Sequence, residues 1–170
     1  DTCGTGGTGK STFSISTTSA FVVAGAGVPV AKHGNRAVTG RAGSFDTLEA
    51  LGVRIDLPLG ECARILEEIG IAPFYAHTAH PAFRHVGPVR QEIGTRTLLN
   101  CLGPLLNPVG VRHQIVGVYD SALVEPLAEA LGRLGARRAL VVHGRDGVDE
   151  LTTTATNVAA MLHEGAGEGS

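Results

Sequence analysis

The chain has 170 residues, the length of about one domain, and its 43% hydrophobic and 18% charged residues are typical of a globular protein with a buried core. A net charge of −2 and few aromatic residues exclude a basic or base-stacking surface for nucleic acid, and no apolar run has the length of a membrane span. The cysteines Cys3, Cys62 and Cys101 are odd in number and widely spaced, which indicates reduced thiols in a cytoplasmic protein and no zinc site.

The first predicted element is a glycine-rich loop, Gly4 to Gly9, that leads into a row of hydroxyls and an apolar helix. Such a turn presents backbone N–H groups and the positive end of the helix dipole to one point, which favours phosphate. Residues 4–11 match the P-loop pattern G-x-x-x-x-G-K-[ST], in which Lys10 would contact phosphates and Ser11 would bind magnesium. The same residues fit a phosphoribosyl pyrophosphate (PRPP) loop, which needs a second basic loop and a distant acidic pair. A glycine-rich connection without a ligand is the third interpretation.

Beyond this loop, helix and strand patterns alternate along the chain. Apolar spacing and cap residues predict helices at residues 12–26, 45–51, 58–70, 81–92 and 122–134. Apolar or alternating runs predict strands at residues 28–32, 53–57, 73–77, 114–119 and 138–143. This order predicts an α/β fold with a largely parallel sheet and helices on both faces.

A second loop, at residues 30–37, follows a predicted strand and is expected at the carboxyl edge of the sheet, where open α/β sheets bind ligands. Lys32 and Arg36 supply positive charge, Asn35 supplies a donor and an acceptor, and Gly34 allows the backbone to approach a ligand closely. Ser44 adds another hydroxyl near this loop. These residue types suit a phosphate, and a solvated basic turn is the alternative.

An acidic pair, Asp149 and Glu150, follows the strand that is predicted to end at His143. Carboxylates at the carboxyl end of a strand can hold magnesium, a hard cation that keeps several waters and also binds substrate phosphates. Two surface acids in a turn are the alternative interpretation.

Motifs in a fixed order along the chain resemble those of anthranilate phosphoribosyltransferase. They are G-T-G-G-x-G with T-F-x-I-S-T, V-A-K-H-G-N-R-A, G-S-x-D-x-L-E-A-L-G, H-P-A-F-R-H, V-R-x-E-I-G, N-x-L-G-P-L-x-N-P, V-V-H-G-R-D-G and D-E-L, from Asp1 to about Thr154. The resemblance disfavours the P-loop, because Lys10 and Ser11 fall where this family tolerates varied residues. It implies a catalytic domain of the nucleoside phosphorylase/phosphoribosyltransferase type, with a mostly parallel sheet flanked by helices.

The resemblance also implies an activity: transfer of phosphoribose from PRPP to the amine of anthranilate, with release of pyrophosphate, in tryptophan biosynthesis. It implies no general acid or base. The PRPP-binding residues that it carries over by motif are Gly4, Gly7, Thr8, Thr12, Ser14, Ile15, Ser16, Thr17, Lys32, His33, Gly34, Asn35, Arg36 and Ser44. By the same motifs, anthranilate would contact Gly4, His33, Asn35, His80 and Arg90, and Mg²⁺ would bind Ser16, Asp149 and Glu150.

The chain departs from the family pattern at two positions of the glycine-rich segment. Thr8 stands where the family usually has Asp, and Ser14 stands where Asn is usual. After the acidic pair the family continues with G-P-T, whereas this chain has A-T-N at residues 155–157. These departures favour a second hypothesis, a non-catalytic homologue or fragment with the same fold, and a P-loop nucleotide-binding protein is the third.

The resemblance further implies an internal fragment of a longer enzyme, residues 1–170 being a partial catalytic domain. The family has a small helical segment before the glycine loop and further strands and helices after the acidic pair. Residues 81–107 would form a helical hinge region toward that small helical domain, which carries the dimer contacts of the family. A cytoplasmic homodimer is therefore expected for the full-length protein, and exposed apolar surface is expected on this chain.

Overall fold

A computed structural model describes residues 1–10, 13–37 and 42–163, without the side chains of residues 84, 87, 88, 90 and 91. Strands β1 to β6 are Thr2–Gly4, Val30–Gly34, Ile71–Tyr75, His113–Gly117, Arg138–Gly144 and Asn157–His163. Helices α1 to α7 are Ile15–Gly25, Ser44–Ala50, Leu59–Ile69, Ala76–Ala79, Phe83–Ile93, Leu99–Leu102 and Val124–Arg133, with 3-10 turns at Gly103–Leu105 and Ser121–Leu123. No helix within these described ranges is long and apolar enough to cross a bilayer.

The strands form two sheets. One has the order β1-β4-β5-β6, in which β1, β4 and β5 are parallel and β6 runs antiparallel to β5. The other pairs β2 with β3 in parallel, from Val30 opposite Ile71 to Gly34 opposite Tyr75. Helix α7 packs on β5 and β6, α3 packs on β3, and α1 contacts β1 and β2. The predicted α/β class, with mostly parallel strands flanked by helices, is confirmed.

Each sheet buries one apolar core against its helices. Val116 of β4 and Val141 of β5 are fully buried and belong to the same cluster as Leu127 and Leu131 of α7. These two leucines are about one helical turn apart, so they share the face that α7 turns toward the sheet. The cluster under the second sheet joins β2, β3 and α3 and contains Ala31, Leu57, Cys62, Ala72 and Phe74.

Side chains join the two sheets where β1 lies beside β2. The ammonium of Lys32, on β2, donates a hydrogen bond of 2.8 Å to the carbonyl of Thr2 on β1. Asn107 Nδ2 donates to the carbonyl of Ala31 and to Asp1 Oδ2, each at 2.9 Å. These bonds hold the first residues of β1 beside β2, although the two strands belong to different sheets.

Two strand predictions need correction, and two strands, β1 and β6, were not predicted. Residues 53–57 are not a strand: Ile55 and Leu57 are buried between exposed Arg54 and Asp56, so the alternation reports one-sided burial without strand pairing. The strand predicted at 73–77 is Ile71–Tyr75, because its partner β2 ends at Gly34, opposite Tyr75. Strand β6 was not predicted, although its burial alternates with every second residue.

The helix predicted at residues 12–26 also begins later than expected. It starts at Ile15, after Phe13 and Ser14, and Thr12 lies outside the described residues. The glycine-rich loop is therefore longer than predicted, and it separates β1 from α1 by about ten residues. The other predicted helices occur, with ends that differ by a few residues.

Candidate active site

The glycine-rich loop leaves the end of β1 in a conformation that depends on glycine. Gly6, Gly7 and Gly9 have φ angles of 65°, 75° and 70°, in the left-handed region that side chains disfavour. Thr5 fixes the start of the loop on β4, because its N–H donates to the Gly117 carbonyl at 2.9 Å. Its hydroxyl also accepts a hydrogen bond from the N–H of Tyr119 at 3.0 Å. The loop thus presents its backbone amides from a fixed position beside the ends of β1 and β4.

Asp149 lies directly over the ends of β1 and β4. The N–H of Gly6 donates to Asp149 Oδ2 at 2.7 Å. A Cβ atom on Gly4 would lie 2.6 Å from the same oxygen, and a Cβ on Gly117 would lie 1.6 Å from the backbone oxygen of Asp149. Strand β4 must therefore end in glycine for the segment that follows β5 to occupy this position, and a side chain at Gly4 would displace the Asp149 carboxylate.

A buried lysine connects β2 with α1 and the acidic pair. Lys32 is 2% exposed, and its Nζ donates to the Thr2 carbonyl and, at 3.2 Å, to Ser16 Oγ. Burial lowers the pKa of Lys32 to about 8. Burial and the neighbouring Asp149 raise the pKa of Glu150 to about 7, while Lys32 acts in the opposite direction. Lys32 contacts Ser16 and interacts electrostatically with Glu150, so this lysine links the start of α1 with the acidic pair.

The acidic pair and Ser16 fit a magnesium ion. All three side chains offer oxygen, the donor that Mg²⁺ prefers. Burial first and then the neighbouring Asp149 carboxylate raise the pKa of Glu150, and a divalent cation beside the two carboxylates would favour their charged forms. In the described part of the chain, no group of three or more His, Cys, Asp or Glu side chains converges. Waters and substrate phosphates would therefore complete the coordination, as is usual for Mg²⁺.

A pair of histidines lies at the end of β2, on the other side of Lys32. His33 is 2% exposed, and burial together with His80 lowers its pKa to about 4, so the ring is neutral at pH 7. Its Nδ1 is 3.1 Å from the Gly103 carbonyl, which can only accept, so this nitrogen carries the hydrogen. His80 Nε2 then donates to His33 Nε2 at 3.2 Å. His33 is thereby fixed in one tautomer and one orientation.

The P-loop interpretation is not favoured by this geometry. In a P-loop the helix follows the glycine-lysine-serine sequence directly, whereas α1 begins at Ile15. The ammonium of Lys10 donates to the backbone carbonyl of Asp146, in the segment that follows β5. The lysine that contacts the start of α1 is Lys32, whose ammonium donates to Ser16 Oγ, and Ser11 lies outside the described residues.

The family whose model is described as "Glycosyl transferase family, a/b domain" matches residues 1–169. The chain belongs to this family. It is 58% identical over 166 residues to the anthranilate phosphoribosyltransferase of Moorella thermoacetica, covering 98% of this chain and 49% of that relative.

Two solved structures show the same fold. The anthranilate phosphoribosyltransferase (TrpD) of Thermus thermophilus is 48% identical with a TM-score of 0.87, covering 95% of this chain and 50% of that one. The Saccharomyces cerevisiae enzyme in complex with PRPP and Mg is 30% identical with a TM-score of 0.87, covering 95% and 47%. The chain thus spans about half the length of the relatives that it matches.

Several residues of the glycosyl transferase motifs already have partners within the protein. Ser14 Oγ donates to Thr17 Oγ1 at 2.8 Å at the start of α1, and Thr8 Oγ1 accepts from the N–H of Lys10 at 3.3 Å. Arg36 forms an ion pair of 2.7 Å with Glu49 of α2. A phosphate that bound to these hydroxyls or to this guanidinium would therefore compete with hydrogen bonds that the protein already makes.

The remaining motif residues lie around the end of β2 or outside the described residues. Ser44 approaches Gly34 so closely that a Cβ on Gly34 would lie 2.7 Å from Ser44 Oγ. Asn35 Oδ1 accepts from the N–H of Arg36 at 2.8 Å. Thr12 and the side chain of Arg90 belong to the part of the chain that the structure does not describe.

Arg96 is a contact of the glycine loop that the sequence did not reveal. Its Nη2 donates to the carbonyl of Gly7, and its guanidinium lies 4.5 Å from the centroid of the Tyr119 ring. Arg96 is 89 residues from Gly7 along the chain, so motif spacing could not connect them. The one feature of the sequence that could have drawn attention to Arg96 is its position just after the V-R-x-E-I-G motif.

Proposed function

We propose that this chain carries the catalytic site of an anthranilate phosphoribosyltransferase, which transfers phosphoribose from PRPP to the amine of anthranilate and releases pyrophosphate. One observation carries the proposal: the glycine loop and Asp149 meet at the ends of β1 and β4, and the buried Lys32 of β2 bonds to β1 and interacts electrostatically with Glu150. The names of the relatives support the choice of substrates.

The PRPP site is proposed along the glycine loop and the start of α1. Loss of pyrophosphate builds negative charge on the leaving group, and backbone amides together with Lys32 stabilise that charge because they are fixed in advance. Magnesium, when bound to Ser16, Asp149 and Glu150, would supply further positive charge at the leaving group. The proposed PRPP residues are those of the motifs: Gly4, Gly7, Thr8, Thr12, Ser14 to Thr17, Lys32 to Arg36, and Ser44.

The anthranilate site is proposed beside the histidine pair. The neutral amine of anthranilate is already a nucleophile, so catalysis depends on its position rather than on a strong base. His33 has a pKa of about 4 and both of its ring nitrogens are hydrogen-bonded, so it suits a positioning role with His80, Gly4 and Asn35. Arg90 is proposed for the carboxylate of anthranilate, because a guanidinium can bind both of its oxygens.

The test combines PRPP binding in the presence of magnesium with the loss of anthranilate fluorescence. Lys32→Met is expected to lower PRPP affinity and turnover at least about 100-fold, because it removes a buried charge from the developing pyrophosphate. The matched control is Lys10→Met, which removes a lysine of the same loop region and is expected to change turnover less than about threefold. The proposal is wrong if neither PRPP binding nor anthranilate consumption occurs. It is also wrong if Lys10→Met is the damaging variant and ATP binds in place of PRPP.

We also propose that residues 81–107 pack against a further helical segment in a cytoplasmic homodimer, as the resemblance implies. Val89 and Ile93, one turn apart on α5, are 49% and 52% exposed, and Leu98 is 75% exposed. These apolar side chains support a surface that another element covers. Sedimentation analysis of the protein tests the dimer.

A further inference from the structure

Asp149 makes the hydrogen bond that a phosphate oxygen would make. Its Oδ2 accepts from the N–H of Gly6 at 2.7 Å. The same oxygen lies 2.6 Å from the point where Gly4 would carry a Cβ, so the carboxylate rests against the bare backbone of the loop. A loop of glycines with positive φ turns its N–H groups toward a single anion, and a carboxylate satisfies that arrangement as a phosphate does.

Only the side chain of Asp149 is free to leave this position. The backbone oxygen of Asp149 lies so close to Gly117 that any Cβ there would overlap it. The residue before it, Val148, is 8% exposed and forms a bridge with Gly144, whose N–H donates to the Val148 carbonyl at 3.0 Å. Rotation of the carboxylate therefore decides whether the Gly6 amide is available, while the chain around it keeps its place.

A diphosphate without a metal meets two obstacles at this site. The Gly6 amide is already occupied, and the carboxylates of Asp149 and Glu150 repel a second anion. A diphosphate that arrives with a divalent cation would meet neither obstacle, because the Asp149 carboxylate could bind the cation and leave the Gly6 amide free to donate to a phosphate oxygen.

We infer that Asp149 is a specificity-determining residue that excludes metal-free diphosphate from the glycine loop, so that the site accepts the magnesium complex of a diphosphate ester. This inference rests on the proposed function, because it concerns the same PRPP site. It gives Gly6, which the motifs did not assign, the role of a phosphate-binding amide. The competing hydrogen bond of Asp149 acts in addition to its proposed role toward the cation.

Calorimetric titration with inorganic pyrophosphate, in EDTA and in excess Mg²⁺, tests this inference. Asp149→Ala is expected to raise the affinity for metal-free pyrophosphate about tenfold, the size of a hydrogen bond to a charged group, although it removes a proposed metal ligand. Glu150→Gln is the matched control: it removes charge from the same acidic pair and leaves the Gly6 hydrogen bond in place. We expect it to raise that affinity by no more than about twofold, the effect of a partly screened charge.

Asp149→Asn provides a second variant of nearly the same shape as the natural residue. Its amide oxygen can still accept from Gly6 without the negative charge, so we expect an increase between those of the other two variants. The inference is wrong if Asp149→Ala leaves the metal-free affinity unchanged. It is also wrong if Asp149→Ala and Glu150→Gln raise that affinity equally.

A second readout follows the Gly6 amide itself by NMR, with Mg²⁺ alone as the probe. Mg²⁺ is expected to shift the Gly6 N–H resonance and to speed its hydrogen exchange in the natural chain, but not in Asp149→Ala. An unchanged resonance in the natural chain would contradict the inference. Both readouts are independent of turnover. If both readouts behave as expected while anthranilate is not consumed, the proposed reaction is wrong, but the role of Asp149 at the diphosphate site stands. If anthranilate is consumed while neither readout behaves as expected, the proposed function stands and the role of Asp149 is wrong.

Discussion

At the scale of single residues, the site depends on two glycines that leave room for an acid. Gly4 and Gly117 are opposite each other on β1 and β4, and Asp149 lies over both. A methyl group on Gly117 would meet the Asp149 backbone at 1.6 Å, which no flexible side chain can relieve. Gly117 therefore determines the position of the proposed metal ligand, although it has no side chain of its own.

We predict that Gly117→Ala destabilises the protein by more than about 2 kcal/mol and abolishes magnesium binding, because a backbone segment must move. Gly60→Ala is the matched control: Gly60 lies in α3 and no atom lies within 4 Å of its Cβ position, so it should gain up to about 1 kcal/mol from helix propensity. Urea unfolding and Mg²⁺ titration measure both effects. Equal stability of the two variants would contradict the close packing of Asp149 on β4.

His33 and Glu150 give the free energy of unfolding opposite pH dependences. The folded pKa of His33 is lowered from 6.5 to about 4, so between these values the unfolded chain binds the additional proton and stability rises with pH. The folded pKa of Glu150 is raised from 4.5 to about 7, so the folded chain binds the additional proton and stability falls as pH rises. The two effects oppose each other where the windows overlap, between pH 4.5 and 6.5.

We predict that single substitutions reveal each dependence. Glu150→Gln should leave a chain that loses up to about 3 kcal/mol of stability from pH 6.5 to 4, the effect of His33. His33→Gln should leave the opposite slope, with stability that falls from pH 4.5 to 7. Chemical unfolding across this pH range measures both. Parallel curves for the two variants would show that these groups do not control the pH dependence.

The charged groups of the proposed site stand out in the sequence more than its backbone groups do. Lys32, Asp149 and Glu150 stand out because the carboxyl ends of strands form the ligand-binding edge of an open α/β sheet, where charged side chains have a function to serve. The Gly6 amide and the Asn107 side chain do not stand out, because their partners are far away in the sequence and every backbone has amides. Their roles follow only from tertiary structure.

At the scale of elements, the segment between α5 and α6 supports the glycine loop from outside. Arg96 lies on this segment, donates to the Gly7 carbonyl and covers the ring of Tyr119. Tyr119 in turn donates its N–H to Thr5 at the start of the loop. The α5–α6 segment and the end of β4 therefore hold the loop between them.

We predict that Arg96→Ala weakens PRPP binding about threefold to tenfold, because the loop loses a hydrogen bond and a cation–π contact of about 1 kcal/mol each. Arg96→Lys should restore only part of this, since an ammonium lacks the planar fork that stacks and donates together. Arg64→Ala, which breaks an exposed pair with Glu68, is the control without effect on PRPP. Calorimetric binding constants decide the matter, and an Arg96→Ala chain with unchanged affinity would contradict the supporting role.

Element types were easier to predict from sequence than strand partners. The helix α7 follows from its apolar periodicity and the strand β5 from a continuous apolar run, and both lie within a few residues of the predicted bounds. Residues 53–57 alternate between buried and exposed side chains, yet they form no ladder, because alternation records which side of a segment is buried and not whether another strand lies beside it. The division into two sheets could not be predicted either, because it depends on the pairing of β1 with β4, which lies far away in the sequence.

At the scale of the whole molecule, the proposed site lies across the junction of two separate sheets. The glycine loop and the acidic pair belong to the β1-β4-β5-β6 sheet, while Lys32 and His33 belong to β2. Asn107 is a major connection: its Nδ2 bonds to Ala31 of β2 and to Asp1 next to β1, and its Oδ1 accepts from the N–H of Val109 at 3.0 Å. Relative motion of the sheets would separate Lys32 from the acidic pair.

We predict that Asn107→Ala costs about 2–3 kcal/mol of stability, because it leaves partly buried acceptors without a donor. The matched control is Asn157→Ala, which removes two hydrogen bonds, both of them local and exposed contacts with Thr152. It should cost less than about 1 kcal/mol. Both substitutions remove an asparagine amide, but only Asn107 bonds to residues far away in the sequence. The difference between the two losses of unfolding free energy therefore measures how much the bonds between the two sheets contribute to stability.

Hydrogen exchange locates this effect in the molecule. In Asn107→Ala, the amides of β2 and β3 should exchange faster while those of β4 and β5 keep their protection, because the smaller sheet opens without the larger one. PRPP affinity should fall together with the protection of β2, since Lys32 moves with that strand. Uniform loss of protection in both sheets would mean that the protein opens as one cooperative unit, and that Asn107 stabilises it without controlling how the two halves of the site meet.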